Sequence, residues 1–298
     1  LKITLIFIDG LGIGINAARI NPCAGPDIAF FNHFINDNFP KAIPYDGLAL
    51  PLDATLGVAG LPQSATGQTA LLTGINAAKA LGYHLQGFPN EALRTIIYQE
   101  SILKKIAESG RRAAFMNVYP PIYFEYGPEV LHRKLSVTSH ATLASKFKFF
   151  NFDDLIHHRA IYQEFTNAAL INNGHDLPLF SPEFAGEILA KGVIHYDFSL
   201  YEYFQTDQAG HSMDMERARA EILKLERFLF AFLQNLDLSQ HFVILTSDHG
   251  NIEDMSVKTH TANSVMALLW GEAKTLVAYQ LQSITDIAPL ILRLLKIQ

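Results

Sequence analysis

Ile3-Thr4-Leu5-Ile6-Phe7-Ile8-Asp9-Gly10 decides the fold: an apolar run stops abruptly at an aspartate and a glycine. The run is too short to span a bilayer and lacks the small-residue cleavage region of a signal peptide, so it reads as a buried first strand. The same grammar recurs along the chain. Phe242-Val243-Ile244-Leu245 leads into Asp248-His249, and the aromatic-rich run Phe198–Phe204 leads into Asp207. Ala113-Ala114-Phe115-Met116 and Val265–Trp270 are further strand candidates. Longer helical patterns separate these runs, and that alternation predicts an α/β protein. In open α/β sheets ligands bind beyond the carboxyl ends of the strands, the edge at which Asp9, Asp207 and Asp248 are expected to meet.

The helical patterns are clearest where apolar residues keep a 3.6 period. Between Met213 and Leu236, the residues Ile222, Leu225, Leu229, Phe232 and Leu236 form one stripe, with Arg217, Glu221 and Lys224 on the other side. Ser101–Ala107 reads as an amphipathic helix capped by its serine and ended by Gly110, and Asp286–Leu295 as a closing helix. Thr69–Leu72 looks like the opening of a helix behind a glycine-containing turn. The middle is irregular, with Pro120-Pro121, Gly127-Pro128, Asn172-Asn173-Gly174 and Ser181-Pro182. It is expected to be an inserted cap over residues 119–191, set into a core formed by 1–118 and 192–298.

Composition narrows the function. A chain of 298 residues with 49 % apolar and 17 % charged residues can bury a sizeable core in one large domain with an insertion. A net charge of -6 with no basic run gives no footprint for nucleic acid or for an anionic membrane. No stretch of eighteen apolar residues occurs, and the single cysteine, Cys23, excludes an intrachain disulfide. These features together predict a cytoplasmic protein with neither nucleic acid nor membrane as a partner.

The polar residues supply the chemistry. Phe7-Ile8-Asp9-Gly10, Pro62–Gly67, Thr206–His211, Thr246–Asn251 and His260-Thr261 together offer oxygen and imidazole ligands for two divalent ions around one hydroxyl. That mixture suits Mn2+ or Zn2+, and two such ions beside a hydroxyl are equipment for phosphoryl transfer. Asp207 and His211 are four residues apart, so on a helical turn they share a face. Adjacent side chains point apart, which lets Asp248 and His249 approach an ion from different directions. Taken one at a time, Asp248 as a helix cap and His249 as a satisfied core imidazole are equally good readings. Ser64, Thr66 and Thr69 all offer hydroxyls behind a helix start that can hold a phosphate, and chemistry alone does not choose among them.

As a set, these segments resemble the alkaline phosphatase superfamily, most closely its branch of cofactor-independent phosphoglycerate mutases and phosphopentomutases. The resemblance covers residues 3–87 and 198–295. It implies a three-layer α/β/α sandwich with a mostly parallel sheet and a small inserted cap. Gln63-Ser64-Ala65-Thr66-Gly67 matches the mutase's Asn-Ser-x-x-Gly segment, and the distance from Ser64 to Gly74 of Leu72-Thr73-Gly74 matches the superfamily's register, so the nucleophile maps to Ser64. Ser247-Asp248-His249-Gly250-Asn251 is intact. By resemblance Asp9, Ser64, Asp248 and His249 hold the first ion, and Asp207, His211 and His260 the second. Two features depart. His260-Thr261-Ala262-Asn263-Ser264-Val265-Met266 lacks both prolines of the family's pattern, and 119–191 is too short for the mutase's second domain with its substrate-gripping arginines.

The resemblance implies a phosphoserine intermediate on Ser64. Water attacking it gives a phosphatase, and return of the phosphoryl group to the same substrate gives a mutase. The small cap favours hydrolysis of a phosphate ester, with a mutase as the alternative and an inactive metal-binding protein as a second one. His84 and Asn117 are candidates for substrate contact, each as readily explained by a backbone hydrogen bond. Arg133, Lys134, Lys146, Lys148 and Arg159 are candidate anion contacts that read mostly as a solvated face. His157-His158 reads as surface, and Glu253 as a partner for a ligating histidine.

Overall fold

The computed structural model describes residues 1–297, apart from the side chains of Pro128, Glu129 and Arg133. Seven strands form one sheet: β1 (Lys2–Ile8), β2 (Lys41–Ile43), β3 (Gly47–Leu52), β4 (Ala113–Phe115), β5 (Phe198–Tyr203), β6 (His241–Thr246) and β7 (Val265–Trp270). Their order is β2-β3-β7-β6-β1-β5-β4. Strands β6, β1, β5 and β4 are parallel neighbours, β7 is antiparallel to β6, and β3 is antiparallel to β7. Strand β3 therefore runs in the direction of β1 again, and only β7 and β2 oppose the rest.

Alternation along β1 separates two cores. Ile3, Leu5 and Phe7 face a cluster that contains residues of the helices Ser64–Thr73, Glu91–Glu100, Ile102–Glu108, Val137–Ser145 and Ile287–Leu294. Ile6 and Ile8 face the other cluster, built with the helices Pro182–Val193 and Met215–Gln234. Helices on both faces of a mostly parallel sheet make a three-layer α/β/α sandwich, as expected. The stripe Ile222, Leu225, Leu229, Phe232 and Leu236 lies wholly in that second core, and Asp214 caps its helix by accepting from the N–H groups of Glu216 and Arg217. Each such side chain contributes about 1.5–3 kcal/mol by leaving water.

Register explains why the ligand candidates meet. Ile8 pairs with Tyr203 and Phe7 with Thr246, so β1, β5 and β6 end level with one another. Asp9, Phe204 and Ser247 are then the first residues past the same edge. The hairpin β2–β3 is absent from the sequence reading, because Pro51 inside β3 argues against a strand. Pro51 is tolerated there because β2 pairs only with Gly47, Leu48 and Ala49.

Residues 119–191 are divided between layers. Val137 and Ala141 enter one core, and Phe150, Ile161, Phe165, Ile188 and Leu189 enter the other. The helix Pro121–Leu131, broken at Gly127 (φ 70°, ψ 164°), leaves Ile122, Phe124, Tyr126 and Val130 exposed. Among the described residues no helix is long and apolar enough to cross a membrane.

Candidate metal centre and nucleophile

The site is assembled at the level strand ends. The Asp9 N–H donates to the Tyr203 carbonyl at 2.9 Å, and Thr206 Oγ1 donates to the Asp9 carbonyl at 2.5 Å, which fastens the turn after β1 to the turn after β5. Ser247 Oγ accepts from the Leu11 N–H and donates to the His249 carbonyl, both at 2.9 Å, and so fixes the turn after β6. Ser64 is the first residue of its helix, whose second turn lies against Asp248. A Cβ at Gly67 would stand 2.7 Å from the Asp248 carbonyl oxygen, so this close approach requires glycine.

Of the three hydroxyls that the sequence leaves open, one reaches the centre. Thr66 Oγ1 donates to the Gln63 carbonyl and Thr69 Oγ1 to the Ala65 carbonyl, both turned onto their own helix. Ser64 Oγ instead lies 3.0 Å from His249 Nε2. Around it stand two groups of ligand atoms. Asp9, Asp248 and His249 form a fully buried group, with His249 Nε2 at 3.2 Å from Asp9 Oδ1 and 3.5 Å from Asp248 Oδ2. Asp207, His211 and His260 form the other, with Asp207 oxygens 3.4 Å from His211 Nε2 and 3.5 Å from His260 Nε2. The His249 and His260 rings stack at 3.8 Å between centroids, so the two groups adjoin.

The histidines are oriented alike. His211 Nδ1 donates to the Lys258 carbonyl and His260 Nδ1 to the Pro62 carbonyl, both at 2.8 Å, while His249 Nδ1 lies 3.4 Å from the Gly250 carbonyl. A backbone acceptor on one ring nitrogen turns the other inward as a lone-pair donor, the usual arrangement of a metal-binding imidazole. Nε2 of His211 and Nε2 of His260 face each other at 3.2 Å, which suits a shared cation better than a direct contact.

The carboxylates make the same case. Asp9 Oδ1 and Asp248 Oδ2 are buried without a hydrogen bond among the described residues. Burial, and then the neighbouring Asp9, pushes the Asp248 carboxyl well above its ordinary range. Burial opposes charge on His249, but Asp248 and Asp9 overcome it and push the imidazole up to about 10. Burial works against the charge of Asp207 too, yet His260, His249 and Asn251 bring it down to about 2. Buried anions this close need positive charge among them, and the oxygen and imidazole donors fit a hard or borderline divalent ion. The donor set, its orphaned oxygens and its inward lone pairs support divalent metal use.

Other residues hold this framework. Gln68, one helical turn after Ser64, donates to Asp9 Oδ2 at 3.2 Å, and Asn251 Nδ2 donates to Asp207 Oδ1 at 2.7 Å. Neither was singled out in the sequence as a site residue, although the i,i+4 spacing of Ser64 and Gln68 is a usable signal. Glu253 departs from expectation. Among the described residues it hydrogen-bonds to no ligand histidine; it accepts from the N–H groups of Gly12 and Asn251 and from the side chains of Thr261 and Asn263, tying three loops together.

A cavity of about 620 Å3 opens beside Asp9, Ser64 and Asp207. Asn117 lines it, but its amide is taken up by Glu202, donating to that residue's carbonyl at 2.8 Å and accepting from its N–H at 3.0 Å. Asn117 therefore joins the end of β4 to β5. His84 is not among the lining residues; its Nε2 lies 3.3 Å from the Val58 carbonyl. Of the candidate cations, Lys134 lines the cavity, whereas Lys148 and Arg159 pair with Asp154. Lys146 is an exposed left-handed helix cap, and the side chain of Arg133 lies outside the described residues. His157 and His158 are exposed, as expected.

Residues 183–298 match the sequence profile of the metalloenzyme superfamily, a span that includes Asp207, His211, Asp248, His249 and His260. A 2,3-bisphosphoglycerate-independent phosphoglycerate mutase of Sulfurimonas denitrificans is 30% identical over 128 residues, which are 41% of this chain and 26% of that protein. The chain thus covers about a quarter of the length of that curated relative. Among solved structures, a protein of Pyrococcus horikoshii superposes with TM-score 0.58 at 15% identity, covering 100% of this chain and 97% of the other. The alkaline phosphatase of the Antarctic bacterium TAB5 superposes with TM-score 0.51 at 14% identity, covering 100% and 98%. The two superpositions show a shared fold. The sequence resemblance is thus to the metalloenzyme superfamily and to phosphoglycerate mutases over part of the chain, and the likeness to alkaline phosphatase is one of fold.

Proposed function

From that resemblance, we propose that the chain hydrolyses a phosphate monoester of a small metabolite through a phosphoserine on Ser64, with two divalent ions, Mn2+ or Zn2+, in its two ligand groups. Asp9, Ser64, Asp248 and His249 would hold the first, and Asp207, His211 and His260 the second. The observation that carries the reading is the position of Ser64 Oγ, 3.0 Å from His249 Nε2 at the start of a ten-residue helix and beside two groups of ligand atoms. Bound there, the ions would favour the ionised serine and offset charge on the transferring phosphoryl group.

The chain's own groups do the rest. At the start of the helix Ser64–Thr73 the Thr66 N–H already donates to the Leu85 carbonyl at 3.3 Å, so the N–H groups of Ser64 and Ala65 are the ones that would meet phosphoryl oxygens. Ser64 Oγ attacks phosphorus in line, the bond from phosphorus to the ester oxygen breaks, and the serine proton ends on the departing alcohol. Water then attacks the phosphoserine, giving inorganic phosphate and restoring the hydroxyl. Gln68 holds Asp9, and Asn251 holds Asp207, in fixed orientation through both steps. The cavity wall contributed by Tyr119–Lys134, within the expected cap of 119–191, is the part placed to shape access.

A mutase is the second reading, favoured by the printed activity of the relatives in sequence. Hydrolysis is preferred because Lys134 is the sole lysine or arginine among the described residues lining the cavity, too little to grip a polyanion during transfer. An inert metal-binding protein is the third. The net charge gives no reason to expect nucleic acid as a partner, and we place the protein in the cytoplasm on its single cysteine.

The test is phosphate release from a panel of phosphomonoesters, including 3-phosphoglycerate, by Mn2+- or Zn2+-loaded protein and by Ser64→Ala. Metal-dependent release lost in Ser64→Ala supports the hydrolase. Isomerisation of phosphoglycerate without release replaces it with the mutase. Turnover indifferent to Ser64→Ala contradicts both.

A further inference from the structure

The cavity beside Ser64 has a chemistry of its own. Away from Asp9, Ser64 and Asp207 it is walled by rings and aliphatic chains, among them Phe88, Phe115, Tyr119, Tyr123, Leu135 and Phe204. The wall is a packed surface. Tyr119 and Tyr123 lie 4.5 Å apart between centroids, and Phe115 stands edge-on to Tyr119 at 6.2 Å. Phe88 is 52% exposed at the rim, a large apolar side chain left in water beside an apolar opening.

Its charges are few and unfavourable to an anion. Lys134 is the sole lysine or arginine among the described lining residues. Glu202 enters the cavity from β5, buried, and its Oε2 accepts a 2.5 Å hydrogen bond from Thr138. Thr138 continues into a chain of hydroxyls, to Ser136 at 2.8 Å, Ser136 to Ser139 at 2.9 Å and Ser139 to Tyr119 at 2.5 Å. One buried carboxyl and a row of neutral hydroxyls can meet a hydroxyl or amine of a ligand. Apart from Lys134, they give a second carboxylate or phosphate little in exchange for its water.

We propose that the substrate of this site is a phosphate monoester of an uncharged, apolar or aromatic alcohol, and that the wall of Phe88, Tyr119 and Tyr123 selects it against esters with a second anionic group. This rests on the phosphohydrolase reading and sharpens it. A ring of phenyl or naphthyl size fits within about 620 Å3. Such a ring gains by leaving water against the wall, whereas the carboxylate of a phosphoglycerate would lose water against apolar side chains, with Lys134 as the one cation among the described lining residues.

The experiment compares 1-naphthyl phosphate with 3-phosphoglycerate on the metal-loaded full chain. Expected is a kcat/KM at least about tenfold higher for the naphthyl ester, a ratio that Phe88→Ser and Tyr123→Leu each reduce several-fold. Equal or faster turnover of 3-phosphoglycerate, by release or by isomerisation, overturns the substrate class while leaving phosphoryl transfer standing. If neither ester turns over, the hydrolase reading fails for both, and binding still decides the selectivity. Calorimetric titration of metal-loaded Ser64→Ala is then expected to show phenylphosphonate binding at least about tenfold tighter than phosphonoacetate, since these probes share the anionic head and differ in the tail. Equal affinities, tighter phosphonoacetate or binding of neither overturns the proposal.

Discussion

The carboxyl edge of the sheet and the aromatic wall of residues 115–139 face the same cavity, and they are built on different principles. At the edge, polar atoms are held from behind: two histidines donate one ring nitrogen to a backbone carbonyl at 2.8 Å, and Gln68 and Asn251 brace the aspartates. The positions come from strand register, which cannot shift without turning whole strands over. The wall is held by ring-on-ring packing, and its helix Pro121–Leu131 leaves Ile122, Phe124, Tyr126 and Val130 in water. A rigid edge suits chemistry that tolerates little misplacement, and an apolar wall suits recognition that can change without disturbing it.

The sharpest way to break the comparison is at Ser64. Ser64→Ala is expected to lower phosphate release by about three orders of magnitude or more, with an unchanged melting temperature, because a residue at the edge acts through chemistry rather than packing. A loss of activity explained by unfolding, seen as a shifted thermal transition, would count against that division. Next comes Glu253. Replacing it by Gln adds a donor pair where four donors already converge, so stability is expected to fall by about 1–3 kcal/mol, together with weaker metal retention. Denaturant unfolding of the metal-free and metal-loaded forms checks both.

On the wall, Tyr123→Leu is expected to raise KM by about tenfold or less with little change in kcat, the mark of lost ground-state binding. Steady-state kinetics with an aryl phosphate would show it; a fall in kcat alone would move Tyr123 to the chemical side. The last effect, small at any one pH step, belongs to Glu202. Burial pushes its carboxyl from an ordinary 4.5 up to about 7, so the folded state keeps a proton that the unfolded chain has released. Stability of the metal-free protein is then expected to fall as pH rises from about 4.5 to about 7, by at most about 1.4 kcal/mol per pH unit from this group. Glu202→Gln removes that slope, and melting temperatures of both proteins across the range measure it.

The two regions also differ in how far their sequences can be read. The edge is legible because each aspartate among the ligand candidates follows an apolar run that ends a strand: Asp9 after Ile3–Ile8, Asp207 after Phe198–Tyr203, Asp248 after His241–Thr246. Continuous apolar runs likewise announce β1 and β6, and a 3.6 period the helix Met215–Gln234. Strand β3 is hidden by Pro51, which is harmless only because β2 is short. Glu202 is hidden because a lone glutamate in Phe198–Tyr203 looks like an outward residue of a half-exposed strand, whereas this strand is buried throughout and the cavity supplies its polar surroundings. Asn117 and His84 had the residue types of substrate contacts. Their partners, the Glu202 backbone and the Val58 carbonyl, are set by tertiary packing that spacing does not record. Glu253 had the right neighbourhood and another task, since four donors reach it from loops distant in sequence.

The central claim is that Asp9, Asp248 and His249 on one side, and Asp207, His211 and His260 on the other, hold separate divalent ions around Ser64. Elemental analysis of protein loaded with Mn2+ or Zn2+ and dialysed to remove loose ions tests it most directly, on the wild type, on Asp248→Ala and on the double variant His211→Ala/His260→Ala. The account predicts two ions per chain in the wild type and a loss of one in each variant, with all three proteins folded by circular dichroism. No retained ion in the folded wild type, or two retained in both variants, would contradict it.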